Sequence, residues 1–122
     1  VEKRHRIKTR YDLLLNDLPV ITPYLKDDSY SALHLYPILI ELDRVSKSRE
    51  EIFNDLRQSG IGVNVHYIPI HTQPYYCNLG FNEEDFPISL DYYSKVISLP
   101  MFHAMTTDQQ DEVIKALESS LK

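Results

Sequence analysis

The first residues of the chain combine basic and apolar positions with a helical spacing. Apolar side chains recur three and four residues apart, at Ile7, Tyr11, Leu14, Leu15 and Leu18. This spacing predicts an amphipathic helix over residues 2–17, with the basic side chains on its solvent-facing side. Pro19 ends the helix, because proline lacks an amide hydrogen and restricts the residue before it.

Three further segments have the composition of β-strands. Residues 32–42 are so rich in apolar side chains that we expect a strand covered on both faces, with Pro37 at a bulge or at a position the hydrogen-bond ladder does not need. Residues 62–67 alternate apolar and polar side chains and predict a second strand. Residues 97–99 predict a third strand, whereas residues 21–30 have no regular pattern.

Two pairs of side chains have the spacing of a helix capping box. These pairs are Ser48 with Glu51, and Thr107 with Gln110. The first pair predicts a helix that Gly60 closes, since glycine adopts the left-handed conformation of a helix C-terminus. The second pair predicts the last helix, over residues 108–121. A short helix over residues 87–96 is expected before the third strand.

Strands separated by helices, with helices at both ends, predict an α/β domain of the α+β two-layer sandwich type. Its small three-stranded sheet would contain a β-α-β unit, formed by the first strand, the capped helix and the second strand. We expect residues 1–122 to form a single domain, because this length buries a core without disulfides. One face of the sheet is expected to need a cover from outside the chain.

Composition narrows the function classes. The formal net charge is −5, so we expect no nucleic-acid partner, which would require a basic face. The single cysteine, Cys77, excludes an internal disulfide and fits a reducing compartment, and we therefore expect a cytoplasmic protein. No apolar run approaches the roughly 20 residues that cross a bilayer, so no membrane partner is expected.

Side chains with binding chemistry concentrate between His66 and Tyr76, after the second predicted strand. Two histidines, three tyrosines and one glutamine fall within these eleven residues. Aromatic rings stack on sugars, and His, Tyr and Gln hydrogen-bond to hydroxyls or to a pyrophosphate. A sugar- or nucleotide-binding surface is one interpretation. The alternative is that the same rings pack on their own domain or on a partner chain.

Patterns for metal binding and catalysis are missing. His66 and His71 are five residues apart, without a carboxylate or a second cysteine in a recognised ligand spacing, and no metal site is predicted. The three glycines form no phosphate-binding loop. We therefore assign no catalytic residue to this chain.

Three segments carry a family resemblance. They are Ser31–Pro37, Gly60–Tyr76, and Phe86–Pro87 with Ser98–Met101. The middle segment reads His-Tyr-x-Pro-x-His followed by Gln-Pro-Tyr-Tyr. Together they resemble the DegT-like group of sugar aminotransferases, which are fold type I enzymes dependent on pyridoxal phosphate (PLP). Within the group, the motif of the middle segment looks most like that of enzymes that aminate a UDP-linked 4-keto-6-deoxy-N-acetylhexosamine for pseudaminic acid or similar surface sugars.

The resemblance implies that the chain is the C-terminal small domain of a larger homodimeric enzyme, whose N-terminal large domain would bind PLP. The enzyme would transfer an amino group from an amino-acid donor, glutamate by expectation, to a nucleotide-linked keto-sugar. The matching motif carries substrate contact to His66, Tyr67 and His71, and further to Gln73 and Tyr75.

The chain departs from the family at the groups that PLP chemistry requires. Transamination needs a Schiff-base lysine, an acid at the pyridine nitrogen and a phosphate cup. None of the seven lysines lies in a segment like the family's Schiff-base segment. We expect the chain alone to hold no PLP and to be inactive. Two alternatives stay open: a stand-alone sugar- or nucleotide-binding module, and a protein-interaction domain that pairs through its exposed sheet.

Overall fold

Five helices and a small antiparallel sheet form the structure, a computed structural model that describes all residues from 1 to 122. The helices and strands are α1 Glu2–Leu15, β1 Val20–Ile21, β2 Tyr36–Ile40, α2 Arg49–Gln58, α3 Pro74–Asn78, α4 Pro87–Lys95, β3 Val96–Leu99 and α5 Thr107–Ser120. Short 3-10 turns occupy Leu42–Arg44, Ile70–Thr72 and Glu83–Asp85. The strand order is β1-β2-β3. The predicted α/β class with a three-stranded sheet is confirmed.

The start and end of α2 follow the predicted local signals. Ser48 Oγ accepts a hydrogen bond from the Glu51 amide at 3.2 Å, and the Glu51 carboxylate accepts one from the Ser48 amide at 2.8 Å. Past the helix, Gly60 has a φ of +81°, in the left-handed region. Both features satisfy backbone groups that a helix leaves free at its ends.

The capping box of α5 is displaced by one residue from the predicted pair. Thr106 caps the helix, accepting from the Gln109 amide at 3.2 Å, while Gln109 Oε1 accepts from the Thr106 amide at 3.0 Å. Gln110 is buried and donates from Nε2 to the Ile7 carbonyl oxygen of α1 at 3.0 Å. Packing against α1 therefore sets the register, because Gln110 lies on the same buried face as Val113.

The two faces of the sheet differ. Side chains of one face enter a hydrophobic core shared with α1, α2 and α5. They include Tyr36, Ile38 and Ile40 of β2 and Ile97 and Leu99 of β3. Alternation along a strand places the intervening residues on the opposite face. Pro37 is one of these, and it lies opposite Ser98 of β3.

Pro37 occupies a position that the ladder does not need, as one of the two predicted possibilities had it. Ser98 exchanges both backbone hydrogen bonds with Asn64, on the side of β3 away from β2. In an antiparallel pair, opposed residues that do not bond each other direct their backbone groups away from the partner strand. The missing amide hydrogen of Pro37 therefore costs no bond to β3.

The prediction of a full strand over residues 62–67 is wrong. Only Asn64 pairs, as an isolated antiparallel bridge to Ser98, and β1 supplies the third strand of the sheet. The next hydrogen-bonded pairs would require amides of residues 96 and 100. Pro100 has no amide hydrogen, and the Val96 amide donates to the Tyr92 carbonyl oxygen at the end of α4.

The path of the chain still follows the predicted β-α-β unit in outline. Residue Asn64 is antiparallel to β3, and β3 is antiparallel to β2. The chain at Asn64 therefore runs parallel to β2. Helix α2 lies between Asn64 and β2 in the sequence, and β3 lies between them in the sheet. This geometry brings the segment after Asn64 to the outer edge of the sheet.

Candidate functional site

The predicted site segment leaves the sheet edge beside β3. His66 lies two residues beyond the bridged Asn64, and its Nδ1 is 2.9 Å from Ser98 Oγ. Its ring meets the Tyr67 ring edge-on, with centroids 4.7 Å apart. The peptide bond between these two residues is cis. The imidazole is half-buried, so part of the ring remains open to a ligand.

Tyr67 and Tyr75 present exposed rings. Their side chains are 69% and 68% exposed, and Tyr75 contacts the Tyr76 ring edge-on at 5.3 Å. Exposed aromatic faces of this kind stack on sugar rings or on nucleobases. These two tyrosines are therefore the most accessible of the predicted site residues.

His71 is held inside the loop. Its side chain is 5% exposed, its ring packs on Phe86 at 4.8 Å, and its Nε2 lies 2.9 Å from the Glu83 carbonyl oxygen. A carbonyl oxygen only accepts hydrogen bonds, so Nε2 must carry a proton and donate it. A ligand can therefore reach this imidazole only at Nδ1.

Gln73 lies at the entrance of α3. It is half-buried and precedes Pro74, which occupies the first position of that helix. Its backbone amide donates to the Ile70 carbonyl oxygen at 3.1 Å. Its side-chain amide makes no hydrogen bond within the chain, and both its donor and its acceptor remain available to a ligand.

A row of aromatic contacts supports the loop from within. Rings approach one another from Tyr76 to Phe81 and from Phe81 to Phe86, with centroids 6.2 Å apart in each pair. Phe86 then contacts His71. These contacts connect the two ends of the loop through side chains, which limits the conformations open to it.

The surroundings of the site are uncharged or acidic. No lysine or arginine occurs between Arg57 and Lys95, whereas four carboxylates do. Beside the loop, a groove of about 570 Å³ has a largely apolar lining of Asp85, Phe86, Pro87, Ile88, Ser89 and Tyr92. Burial raises the pKa of the Tyr92 phenol above its usual range.

Ser98 and Asn64 are functional candidates that the sequence prediction missed. Ser98 is the only polar residue of β3, and it is 4% exposed. A lone hydroxyl in an apolar strand is a signal that sequence reasoning can detect, because burying it without a hydrogen bond is costly. Its partner, however, lies 32 residues away in the chain.

Three of the seven lysines form ion pairs within the chain: Lys8 with Asp12, Lys47 with Asp55, and Lys95 with Asp91. The segment from His66 to Tyr76 contains no lysine or arginine. No group of three His, Cys, Asp or Glu side chains is arranged to hold a metal ion. None of the helices is both long and apolar enough to cross a bilayer.

Comparison with known proteins identifies one family. The sequence model of the DegT/DnrJ/EryC1/StrS aminotransferase family matches residues 1–118. The chain is 36% identical to the spore coat polysaccharide biosynthesis protein SpsC of Bacillus subtilis, over 99% of this chain and 32% of that protein. It is 32% identical to a pleiotropic regulatory protein of Geobacillus stearothermophilus, over 95% of this chain and 31% of that protein. The chain thus spans about a third of the length of these curated relatives.

Solved structures agree with this match. The putative sugar aminotransferase Spr1654 of Streptococcus pneumoniae, in its PMP form, superposes with a TM-score of 0.88 at 27% identity, covering 98% of this chain and 30% of that one. PseC of Helicobacter pylori, an aminotransferase involved in the biosynthesis of pseudoaminic acid, superposes with a TM-score of 0.85 at 29% identity, covering 98% and 32%.

Proposed function

The chain belongs to the DegT/DnrJ/EryC1/StrS aminotransferase family, and from this premise we propose that it is the C-terminal small domain of a PLP-dependent nucleotide-sugar aminotransferase. Its coverage of about a third of its relatives supports a larger parent protein. The parent would transfer an amino group from an amino acid, glutamate in our proposal, to a keto-deoxysugar. PLP and the catalytic lysine would come from the N-terminal large domain, and a second copy would complete a homodimer.

The role of this chain in that enzyme is substrate contact. The observation that carries this role is the aromatic segment from His66 to Tyr76, which starts at the sheet edge and contains no Asp, Glu, Lys or Arg. Tyr67 and Tyr75 are exposed enough to stack on a sugar ring or a base, and the His66 ring lies beside Tyr67. Gln73 would add an amide donor and acceptor, and His71 would act through Nδ1.

The charge distribution supports binding of different parts of the substrate by different parts of the enzyme. A diphosphate is best held by arginine, lysine or a metal ion. The loop and its flanks, from residue 58 to residue 94, contain none of these cations. We therefore assign the sugar and base portions of the substrate to this chain, and the diphosphate to groups of the parent enzyme outside it.

Exposed apolar side chains support docking of this loop region on the N-terminal large domain. Ile68 and Ile70 lie within the site segment, and Leu79 and Ile88 follow it along the chain. All four side chains are more than half exposed. Patches of this kind on a soluble domain usually mark an interface. Because the large domain would carry the rest of the cleft, its contact with this patch would enclose the substrate between the two domains.

The names of two relatives support the biological setting. SpsC is described as a spore coat polysaccharide biosynthesis protein, and PseC as acting in the biosynthesis of pseudoaminic acid. We extend this setting to the parent of this chain, as synthesis of an amino sugar for a surface polysaccharide, carried out in the cytoplasm.

The test compares the 122-residue chain with the product of the full open reading frame. Each protein is incubated with PLP, and the visible absorbance of bound cofactor is recorded. A UDP-linked keto-sugar and glutamate are then added, and the aminated sugar is quantified. We expect the longer protein alone to hold PLP and to form product.

Two outcomes would overturn the proposal. One is product formation by the 122-residue chain alone, since the proposal assigns PLP and the catalytic lysine to the N-terminal large domain. The other is the absence of a longer reading frame, combined with measurable binding of the nucleotide sugar by this chain. That second outcome would favour a stand-alone binding module.

A further inference from the structure

Ser98 has a buried side chain on the sheet face opposite the core. It is 4% exposed, and its neighbours Ile97 and Leu99 both enter the hydrophobic core. The alternation of the strand therefore directs Ser98 to the other face, where it lies across from Pro37. Proline has no side-chain hydrogen-bonding group, so β2 offers nothing to the hydroxyl there.

The hydrogen-bond partner of Ser98 is His66. Ser98 Oγ and His66 Nδ1 are 2.9 Å apart, and this is the single side-chain contact recorded for the hydroxyl. A buried hydroxyl is costly unless it is bonded, and alanine or valine would fill the same strand position without that cost. The presence of serine is therefore accounted for by the imidazole rather than by packing.

Backbone pairing also brings the chain near His66 close to Ser98. The Ser98 amide donates to the Asn64 carbonyl oxygen at 2.8 Å, and the Asn64 amide donates to the Ser98 carbonyl oxygen at 3.3 Å. His66 follows two residues later in the chain. One residue of β3 thus holds both the backbone that leads to His66 and the ring itself.

We propose that Ser98 is a positioning residue for substrate binding, which orients the His66 imidazole so that Nε2 is the nitrogen presented to the substrate. This inference rests on the proposed function. A hydroxyl both donates and accepts, so the contact at Nδ1 persists whether the ring is neutral or protonated. Nδ1 is thereby occupied in either state, and Nε2 alone is left for a sugar hydroxyl or carbonyl.

His66 and His71 are consequently held in opposite senses. His66 is engaged at Nδ1 by a side chain of β3 and presents Nε2. His71 is engaged at Nε2 by the Glu83 carbonyl oxygen, so Nδ1 is its one remaining ring nitrogen. Only the contact of His66 is made by a side chain, so a substitution of Ser98 removes it, whereas the contact of His71 is to a backbone carbonyl oxygen.

The kinetic test uses the full-length enzyme that contains this chain, with steady-state measurements on the UDP-linked keto-sugar. We expect Ser98→Ala to raise KM about tenfold and to change kcat much less. The variant loses one hydrogen bond that orients the imidazole for binding, and the effect of one such bond is of this size. Ser98→Thr retains the hydroxyl and should recover most of the loss. Ser120→Ala is the matched control, since Ser120 is a buried serine, 3% exposed, that bonds the Leu117 carbonyl oxygen far from the site.

A double-mutant cycle separates this inference from the proposed function. If Ser98 acts through His66, Ser98→Ala should raise KM no further once His66 is alanine. Two outcomes would overturn the inference and leave the proposed function intact. In one, the fold-increases in KM of the two single variants multiply in the double variant. In the other, Ser98→Ala leaves KM unchanged while His66→Ala raises it. An unchanged KM in His66→Ala itself would remove the substrate-contact role on which the inference rests.

A spectroscopic measurement supplements the kinetics. Nitrogen chemical shifts of the His66 ring distinguish protonated from unprotonated Nδ1 and Nε2. We expect Ser98→Ala to change the His66 shifts and to leave those of His71 in place. Equal shifts of His66 in the wild type and the variant would contradict the orienting role, even if the variant folds less stably.

Discussion

Two buried tyrosines connect α1 to the rest of the molecule through their hydroxyls. Tyr11 donates to the Pro100 carbonyl oxygen at 2.9 Å, and Tyr36 donates to Asp12 Oδ1 at 2.6 Å. Both rings are fully buried and lie 4.9 Å apart. Burial raises the pKa of both phenols well above the usual range, and for Tyr36 the hydrogen bond to Asp12 raises it further.

Replacing Tyr36 by phenylalanine should lower the free energy of unfolding by about 1 to 2 kcal/mol, the worth of a hydrogen bond to a charged acceptor that solvent partly reaches. Urea denaturation measures the change. Tyr24→Phe is the control, because that ring is 82% exposed and its loss of a hydroxyl should be nearly neutral. Equal free energies for the two variants would show that the Tyr36–Asp12 bond adds no stability.

The raised pKa values also predict the direction of an alkaline effect. In the unfolded chain a tyrosine releases its proton near its ordinary pKa of about 10, but in the folded chain Tyr11 and Tyr36 release theirs only at higher pH. Their contribution is therefore complete below pH 10 and is lost as the pH rises above it. Unfolding measured across this range should show a steeper loss in the wild type than in Tyr36→Phe.

At the scale of elements, helix ends depend on a few side chains whose positions the structure defines. The α5 capping box consists of Thr106 and Gln109, and Gln110 is used instead for the contact with α1. Thr107 and Gln110 are the same two residue types and would allow a box one residue later. In the observed register the buried Gln110 side-chain amide donates to the Ile7 carbonyl oxygen. This tertiary contact decides between the two possible boxes.

A pair of adjacent threonines tests this register. Thr106→Ala should lower the free energy of unfolding by about 1 kcal/mol, the usual cost of losing a helix cap. Thr107→Ala should have little effect, since Thr107 is the first residue of the helix and its side chain caps nothing. Thermal or urea denaturation of both variants provides the measurement. A larger loss for Thr107→Ala would place the start of α5 one residue later.

At the scale of the whole molecule, the distribution of exposed apolar residues is uneven. The loop and α4 contain several of them, and Ile88 is 87% exposed at the apolar groove. The prediction that one sheet face needs a cover from outside the chain is wrong, because Val96 and Ser98 on the face opposite the core are already buried within the chain. The α4 helix and the loop cover part of that face. Their own outer surfaces contain the exposed apolar side chains.

The exposed patch predicts self-association of the separate chain. Replacing Ile88 by serine should lower the apparent molecular mass in concentrated solution, because a large apolar side chain leaves the association surface. Leu13→Ser is the matched control: Leu13 is 74% exposed but lies on α1. Sedimentation at several concentrations measures both. If the two variants associate alike, the loop patch is not the contact surface.

Local signals determined much of this protein from the sequence alone. The apolar spacing of α1, the capping box of α2, Gly60 after it and the short α4–β3 segment depend on residues within a few positions of one another, so sequence reasoning located them. The segment between His66 and Tyr76 was identified as a candidate site by its composition. The resemblance of this and two further segments to a known family indicated the family that the comparison then showed.

Tertiary structure decided the features that depend on contacts between residues distant in the sequence. Residues 62–67 have a strand pattern, yet they make one bridge. Pro100 and the occupied Val96 amide, which are distant in the sequence, offer no further bonds. The α5 register depends on α1 in the same way, and the His66–Ser98 contact exists only once β3 enters the sheet between β2 and Asn64. Hydrogen-bonding capacity is a property of each residue, whereas its allocation between competing partners follows from which partners the fold brings within reach.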